Sequence, residues 1–450
     1  MGSVRILAPT GGLGFAPPDP ERSYYPALER GPDVIVADAG SADIGPLFLG
    51  SGARYNEPDW EELDFERLIE GVIRLGVPLV VGSCGGHGSD AAVEEYAAIV
   101  DRVARRRRQA LATALIFSEQ TRDWLHAALD GEPEIASTAP ALPPLTHEAI
   151  DGSDRIVAVM GAQPILAALR AGAQVVLAGR SCDDALFAAA AMHHGVDAAP
   201  AFLAGKLLEN SSLVAVPFVL RECILADVDD EGVVLEPMLA EQRCTRTSVA
   251  AELMYERRTP LEQAGPGGVL ELDAIRIEEL DDRRVRVSGP RYRSAPPALK
   301  VEGAGLSGYR SLCIAGCRDP RMIENLDPIL ETMRGQVVAA GTRIAVNVFG
   351  RDAVMGRLEP TPAPAHEVAI VVETVGSTQE EANRACLLAK RLLFSAKYPG
   401  QKQTGGSIAS LIDEYLEAGP SYRWTVNHIV PVPDLVEPFR LELRTLGGGA

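Results

Sequence analysis

Short apolar segments alternate with segments of helical periodicity along the first half of the chain. Runs rich in Val, Ile, Leu and Ala lie at residues 4–8, 34–37, 79–81, 111–117, 156–159 and 175–178. Apolar positions at helical spacing separate most of these runs, at residues 65–75, 91–106, 119–129, 164–171 and 184–194. Continuous apolar strands that alternate with amphipathic helices are typical of a parallel sheet covered by helices on both faces. We therefore predict a doubly wound, mainly parallel α/β domain over residues 1–212.

The second half of the chain is richer in strands and turns. Strands are predicted at residues 214–221, 232–235, 269–277 and 284–288, with one helix at 248–256. This pattern predicts a β-rich domain over residues 213–308. The remaining elements follow the βαββαβ order of a split-βαβ domain over residues 309–445. They are predicted at residues 311–315, 320–334, 343–348, 367–374, 378–396 and 423–430. The glycine-rich tail, residues 446–450, is predicted to be disordered.

Charge and cysteine content narrow the class of partner. The chain of 450 residues has a formal net charge of −19, which argues against nucleic acid and against anionic membranes. No apolar run reaches about 18 residues, and the first residues lack the pattern of a signal peptide. Seven thinly spread cysteines are typical of reduced thiols. We expect a cytoplasmic protein that binds a small-molecule substrate, with no nucleic-acid or membrane partner.

The loops that follow the six predicted strands carry the candidate chemistry. In open α/β sheets, ligands bind outside the carboxyl ends of the strands. These six loops are rich in glycine and in acid, amide and hydroxyl side chains. We expect them to lie at one edge of the sheet. Our candidates for catalysis are Asp38, Asp43, Glu119, Arg180 and Asp183.

Each of these candidates also has a structural interpretation. Aspartates commonly cap loops and helix ends, and Glu119 is predicted at a helix start, where the dipole favours a carboxylate. Asp38 and Asp43 would serve as acid and base, or would bind a divalent cation such as Mg²⁺. Arg180 would grip a carboxylate or phosphate of the substrate, or would pair with Asp183.

A second set of residues is predicted to hold the substrate. The glycine-dense loop at residues 82–88 can bring backbone N–H groups close to an oxyanion. Cys84 or Ser83 would be a nucleophile there, but the sequence shows no partner base, which favours ligand holding. Lys206 and Glu209 face the same side of a helix, and an exposed ion pair is the default interpretation. The set comprises Gly11, Gly12, Ser41, Ser83, Cys84, Gly85, Gly86, Gln120, Gln163, Lys206 and Glu209.

The motifs of the common cofactor sites and hydrolases are absent. The chain has no G-x-G-x-x-G opening a helix, no G-x-x-x-x-G-K-[ST], no H-E-x-x-H and no G-x-S-x-G. No cofactor is therefore evident, Mg²⁺ stays an alternative, and the metal ligands are unknown.

Several loop sequences, taken in order, resemble one family. They are Asp38-Ala39-Gly40-Ser41 with Gly45-Pro46, Gly82-Ser83 with the following glycines, Ser118-Glu119-Gln120, Gly179-Arg180 with Asp183, Lys206-Leu207-Leu208-Glu209, Arg283-Arg284-Val285-Arg286-Val287-Ser288-Gly289 and Val426-Asn427-His428. Together they resemble the acyclic terpene utilisation protein AtuA family, from about residue 4 to about residue 442. That family is named after a pathway that degrades acyclic terpenoids through acyl-CoA intermediates. The resemblance implies a cytoplasmic protein of catabolism or biosynthesis.

The residue inventory predicts a non-redox enzyme of small-molecule metabolism, a lyase or hydratase acting on a carboxylate or acyl substrate. Asp38 or Glu119 would move a proton, Arg180 would hold an anionic group, and backbone N–H groups of residues 82–88 would stabilise an oxyanion. One alternative is a hydrolase that uses metal-bound water. Another is a non-catalytic ligand-binding or scaffold subunit. We also expect a homo-oligomer, formed through a sheet edge of the C-terminal domain.

Overall fold

The computed structural model describes residues 2–14, 20–40, 44–219, 221–257, 259–339, 341–361 and 363–448. Its chain divides into two compact units, one of residues 1–305 and 424–450 and the other of residues 306–423. The chain enters the second unit within one long strand and leaves it within another. Among the described residues, every helix is too short or too polar to serve as a membrane span.

The elements are numbered in chain order. The strands are β1 (Ser3–Ala8), β2 (Val34–Asp38), β3 (Leu79–Gly82), β4 (Leu111–Phe117), β5 (Ala136–Ser137), β6 (Arg155–Val159), β7 (Val175–Ala178), β8 (Ala215–Val216), β9 (Ile224–Asp229), β10 (Gly232–Pro237), β11 (Arg243–Cys244), β12 (Glu262–Gly265), β13 (Gly268–Glu271), β14 (Arg276–Glu279), β15 (Val285–Ser288), β16 (Arg291–Ser294), β17 (Ala298–Cys317), β18 (Arg343–Phe349), β19 (Val368–Gly376), β20 (Ala409–Ser410), β21 (Leu416–Pro431) and β22 (Arg440–Leu446). The helices are α1 (Tyr24–Glu29), α2 (Pro46–Ser51), α3 (Pro58–Leu75), α4 (Asp90–Arg107), α5 (Arg122–Asp130), α6 (His147–Asp151), α7 (Ala162–Arg170), α8 (Asp183–His193), α9 (Ala198–Leu208), α10 (Arg246–Met254), α11 (Pro320–Glu324), α12 (Leu326–Ala339) and α13 (Gln379–Phe394).

The first unit is built on a large mixed sheet with the order β14-β15-β10-β9-β1-β2-β3-β7-β4-β22. The centre, from β1 through β2, β3 and β7 to β4, is parallel. The remaining pairings, on both flanks, are antiparallel. The α/β class is therefore confirmed, whereas "mainly parallel" describes only the centre of the sheet.

Helices cover both faces of the parallel centre. Alternate residues of each strand point to opposite faces, so Val36 and Val80 belong to one hydrophobic cluster while Ile35 and Val81 belong to the other. The first cluster includes the alanine-rich α8 and its neighbour α9, and the second includes α3 and α4. Small side chains let α8 and α9 approach closely: a Cβ atom at Gly205 of α9 would lie 2.2 Å from the carbonyl oxygen of Asp184.

Several predicted elements are wrong in placement or extent, among them the following four. The strand predicted at 156–159 is β6, which pairs antiparallel with residues 300–304 of β17 and not with the large sheet. The strand predicted at 269–277 is split into β13 and β14, which belong to different sheets because the chain turns between them. Of the strand predicted at 214–221, only β8 forms among the residues that the structure describes. The helix predicted from residue 119 begins at Arg122, where the Thr121 side chain caps it.

The three-domain division stays a prediction. The structure does show that the predicted middle domain shares a sheet with the first. From residues 213–308, strands β9, β10, β14 and β15 extend the same sheet that holds β1. At the tail, Leu446 ends β22 and the Gly447 amide donates to Asp101. Residues 449 and 450 lie outside the described part of the chain.

The second unit is an antiparallel sheet with helices packed against it. Its strands follow the order β18-β19-β17-β21, with β20 paired to β17. Strand β19 alternates between buried and half-buried positions over its whole length. Its buried side chains pack with those of α11, α12 and α13 in a separate hydrophobic cluster.

Candidate functional site

Two adjoining cavities lie where strands of the parallel centre end. The first, called the Asp38 cavity, is about 380 Å³ and is lined by Gly11, Gly12, Asp38, Ala39, Gly40, Ile44, Tyr55, Asp183, Glu209, Asn210, Tyr255 and Glu256. The second, called the Arg257 cavity, is also about 380 Å³ and is lined by Val159, Arg180, Ser181, Cys182, Asp183, Asp184, Lys206, Glu209, Glu256, Arg257, Glu262, Gln263, Ala264 and Lys300. Three acidic residues, Asp183, Glu209 and Glu256, line both cavities.

Asp38 is the last residue of β2 and is almost fully buried, at 4% exposure. Its Oδ2 atom accepts a hydrogen bond from the Gly40 amide at 3.3 Å. Its Oδ1 atom has no hydrogen-bond partner among the described residues. Burial, and next the negative charge of Asp183, raise the pKa of Asp38 well above its usual value, while Arg180 opposes the shift. Asp38 is therefore suited to carry a proton at neutral pH.

Asp183 and Asp184 occupy the first turn of α8, directly after the Cys182 cap position. Burial raises the pKa of Asp183 to about 6, although the Arg180 guanidinium acts to lower it. Burial and the Asp183 charge raise the pKa of Asp184 to about 6 as well. Desolvation thus outweighs the helix dipole, which favours ionised carboxylates at this position. Asp184 also accepts a hydrogen bond from Gln263 at 2.7 Å.

Arg180 is buried and pairs with Glu302, and not with Asp183, its partner in the alternative structural interpretation. Its Nε atom lies 3.0 Å from Glu302 Oε2, and its Nη1 atom donates to Ser83 Oγ at 3.2 Å. Lys300 reaches the other oxygen of Glu302 at 2.7 Å. Burial acts to raise the pKa of Glu302, but Arg180 and Lys300 outweigh it and lower that pKa to about 2. Arg180 is therefore a neutralised, fixed charge of the cavity wall.

Lys206 and Glu209 form an ion pair, but it is not the exposed pair that the sequence suggested. Lys206 on α9 is buried, and the Glu209 side chain is only 10% exposed. The Lys206 ammonium also lies 5.3 Å from the centre of the Tyr255 ring. Burial raises the pKa of Glu209 well above its usual value, while Lys206 opposes the shift. Close packing of α8 and α9 at Gly205 brings this pair beside Asp183.

The glycine-dense loop after β3 supports the site without lining either cavity. Ser83 is buried, and its hydroxyl accepts from Arg180. Burial, with Asp38 next, raises the pKa of the Cys84 thiol well above its usual value, which argues against a reactive thiolate. A Cβ atom at Gly40 would lie 2.0 Å from the Gly86 carbonyl oxygen, so this loop touches the loop after β2. Gly85 and Gly86 both have positive φ angles, which glycine adopts readily.

Three predicted residues lie away from the two cavities. Glu119 accepts a hydrogen bond from the Asp90 amide at 3.0 Å, and burial raises the pKa of Glu119. Gln120 donates to the Pro438 carbonyl at 2.9 Å, and Gln163 does not contribute to either cavity lining. Ser41 and Asp43 fall outside the described residues.

Sequence reasoning missed the residues that reach the cavities from the second half of the first unit. Arg257 donates to Gln263 at 2.8 Å, while its Nε and Nη1 atoms have no partner among the described residues. Burial lowers the pKa of Arg257, and Glu209 opposes the shift. Lys300 and Glu302 lie on β17, where they alternate with apolar residues. That alternation is typical of a strand with one face in solvent. Nothing in the sequence therefore indicated that these two charges line or support a cavity.

Neither a cluster of metal ligands nor the cavity of the second unit offers a better candidate site in the described part of the chain. Within the described ranges, no group of three or more His, Cys, Asp or Glu side chains is arranged to hold a metal ion. The second unit has a larger cavity, about 1200 Å³, whose acids Asp413 and Glu414 are exposed. The buried carboxylates with raised pKa values make the Asp38 and Arg257 cavities the better candidate for chemistry.

The comparisons with known proteins identify the family. The model of the acyclic terpene utilisation family protein AtuA matches residues 4–418. No curated protein and no solved structure matches the chain. Because the family model covers most of the sequence, the chain belongs to the acyclic terpene utilisation family AtuA.

Proposed function

We propose that this protein is a non-redox enzyme of acyclic terpenoid metabolism, a lyase or hydratase that acts on an unsaturated carboxylate or acyl substrate. One observation carries the proposal: Asp38 and Asp183 line the same cavity, and both have raised pKa values. Two carboxyl groups whose environments separate their pKa values can act as an acid and a base at one pH. A cavity of this size suits a small molecule.

The two carboxyl groups have different roles in this proposal. Asp38 has the more strongly raised pKa and acts as the acid, while Asp183, with a pKa of about 6, is mostly ionised above pH 7 and acts as the base. In hydration, Asp183 takes a proton from water as the water oxygen bonds to one carbon of a double bond. Asp38 gives its proton to the neighbouring carbon. The same steps in reverse eliminate water.

In this proposal, Arg257 and Lys300 bind the anionic group of the substrate, in place of Arg180. Arg180 already has Glu302 as a buried partner, so its charge is compensated. The Nε and Nη1 atoms of Arg257 have no partner among the described residues, and Lys300, although it pairs with Glu302, is about one-third exposed. A substrate carboxylate in the Arg257 cavity would satisfy donors of this kind. Arg180 then favours the ionised form of Asp183 through its fixed charge.

The test uses unsaturated acyclic terpenoid acids and their CoA thioesters in H₂¹⁸O, with product analysis by mass spectrometry. We expect one ¹⁸O atom in the product of the native protein and no turnover by Asp38→Asn or Asp183→Asn. Asp282→Asn, at an exposed acid, is the matched control. Full activity in both site variants would overturn the acid–base assignment.

The two alternative functions predict other outcomes in the same test. A metal-assisted hydrolase would lose activity on treatment with EDTA and would regain it with a divalent cation. A scaffold subunit would bind an acid or thioester without converting it, and Asp38→Asn would leave that binding unchanged.

A further inference from the structure

Two short helices of the first unit, α5 and α6, carry a matched set of side chains that the proposed function does not use. Each helix has a histidine followed four residues later by an aspartate: His126 and Asp130 on α5, His147 and Asp151 on α6. Each aspartate accepts from the histidine of the other helix. His126 Nε2 lies 2.9 Å from Asp151 Oδ1, and His147 Nε2 lies 3.1 Å from Asp130 Oδ1. We call the two histidines, together with the aspartates that they contact, the histidine pair.

The aspartates determine which ring nitrogens carry hydrogen. A carboxylate accepts hydrogen bonds, so each Nε2 atom is the donor and each neutral ring has its lone pair on Nδ1. The two Nδ1 atoms are 2.6 Å apart. The ring centroids are 4.8 Å apart, much further than these nitrogens, and the ring planes are inclined at 21°. The ring edges that carry the two Nδ1 atoms therefore face each other. Two lone pairs this close repel each other unless a cation lies between them.

The chemistry of the histidine pair favours a divalent transition metal as that cation. Metal-binding histidines usually donate their other ring N–H to a carboxylate, which holds the ring in position. Two carboxylates and two neutral rings carry two negative charges, which a divalent ion balances and a single proton does not. Imidazole nitrogen is a preferred ligand of Zn²⁺. We propose that His126 and His147 bind one zinc ion through their Nδ1 atoms, with Asp130 and Asp151 positioning the rings.

Solvent exposure makes this site accessible to the ion. The His126 side chain is 24% exposed and the His147 side chain 54%. Water can therefore complete the coordination, since the histidine pair offers two nitrogen ligands. Zn–N distances of about 2.0–2.1 Å require the two nitrogens to move apart from their present separation. The exposed His147 ring, at the first position of α6, can turn toward solvent to allow this.

The first experiment measures zinc uptake by the full chain. Protein freed of metal with a chelator is titrated with ZnCl₂ in an isothermal calorimeter. We expect one zinc ion per chain for the native protein and loss of this binding in His126→Gln and His147→Gln. The double variant Asp130→Asn/Asp151→Asn keeps the ring contacts without the charges, and its affinity should fall about 10–100-fold. His366→Gln, at an exposed histidine of the second unit, is the matched control and should bind like the native protein.

A second measurement does not depend on the titration. A bound ion joins α5 to α6, so zinc should raise the thermal unfolding midpoint of the native protein and of His366→Gln. It should leave the midpoint of His147→Gln unchanged. Absence of zinc uptake by the native protein, or equal uptake by His147→Gln, would overturn the proposal. A strongly deshielded proton resonance from the histidine pair, with no zinc uptake, would show that only a proton is held there and would also overturn it.

Discussion

The buried ion pair between Arg180 and Glu302 gives a prediction about stability through the variant Glu302→Gln. Glutamine has nearly the same shape and keeps an oxygen that can accept from Arg180, but it removes the negative charge. Arg180 is 7% exposed and Glu302 is 3% exposed, so water cannot replace the lost charge. The substitution therefore isolates the electrostatic part of the contact.

The pKa of Glu302 gives the magnitude of the stability that Glu302→Gln should lose. Burial opposes the ionised form, yet Arg180 and Lys300 lower the pKa from its usual value of 4.5 to about 2. One pKa unit corresponds to about 1.4 kcal/mol, so ionised Glu302 contributes roughly 3 kcal/mol to folding at neutral pH. Removal of one partner of a buried ion pair costs about 3–5 kcal/mol in other proteins, which is consistent.

The sign of the pH dependence follows from the lowered pKa. The stabilisation by ionised Glu302 is complete above about pH 4.5 and is lost as the pH falls through about 2. Below that pH, Glu302 is protonated in both the folded and the unfolded protein. Glu302→Gln should accordingly be less stable than the native protein by roughly 3 kcal/mol at pH 7. The two proteins should approach equal stability at low pH.

Urea unfolding followed by tryptophan fluorescence measures this difference. All three tryptophans, Trp60, Trp124 and Trp424, belong to the first unit, so their fluorescence reports the unfolding of that unit alone. Glu278→Gln, at an exposed glutamate, is the control and should match the native protein. A loss below about 1 kcal/mol at pH 7, or a loss that persists unchanged at low pH, would refute the reasoning.

Four further predictions concern the site and its support. Turnover should fall below about pH 6, because Asp183 must be ionised to act as the base, and a pH–rate profile checks this. Asp38→Asn should abolish turnover but raise the thermal unfolding midpoint at pH 7, since a buried carboxyl with a raised pKa costs stability as the pH rises. Cys84→Ala should retain turnover, because its thiol is buried and its pKa is raised; loss of activity with a correctly folded protein would contradict this. Gly205→Ala should cost about 1–3 kcal/mol of stability by overpacking two helices, whereas Gly335→Ala, with open space around its Cβ, should be neutral or stabilising in the same melts.

The sequence was sufficient to bring several candidate residues together at the ends of the central strands. Apolar runs followed by glycine and aspartate indicated strands whose loops meet at one edge, and Gly11, Gly12, Asp38 and Asp183 do line the same cavity. This worked because the carboxyl ends of neighbouring parallel strands meet at one edge of the sheet. Local pattern and a general rule of α/β sheets were enough for these residues.

The residues that complete the site depend on contacts between distant parts of the chain. Arg180 and Glu302 are 122 residues apart in sequence. Glu302 lies between the apolar residue Val301 and Gly303, which gave no reason to expect a buried charge. A partner of this kind is determined by tertiary packing, and hydrophobic periodicity carries no information about it.

The wrong placement of β6 has a related cause. A continuous apolar strand is buried on both faces whether its neighbours are parallel or antiparallel. The pattern of residues 156–159 therefore predicted a strand correctly but could not identify β17 as its partner. Glu119 was affected as well, because it forms an isolated bridge with Val157 instead of starting a helix.

The pairing of β22 with β4 has a consequence for the order in which this protein can be synthesised and folded. Residues 440–446 supply the neighbour of residues 111–117, so more than 320 residues must leave the ribosome between the two strands. Until then, the largely apolar β4 presents an unpaired edge, which is a known starting point for aggregation. We expect a nascent chain released before residue 440 to require chaperones and to be insoluble, even though both candidate cavities are built entirely from residues before 301.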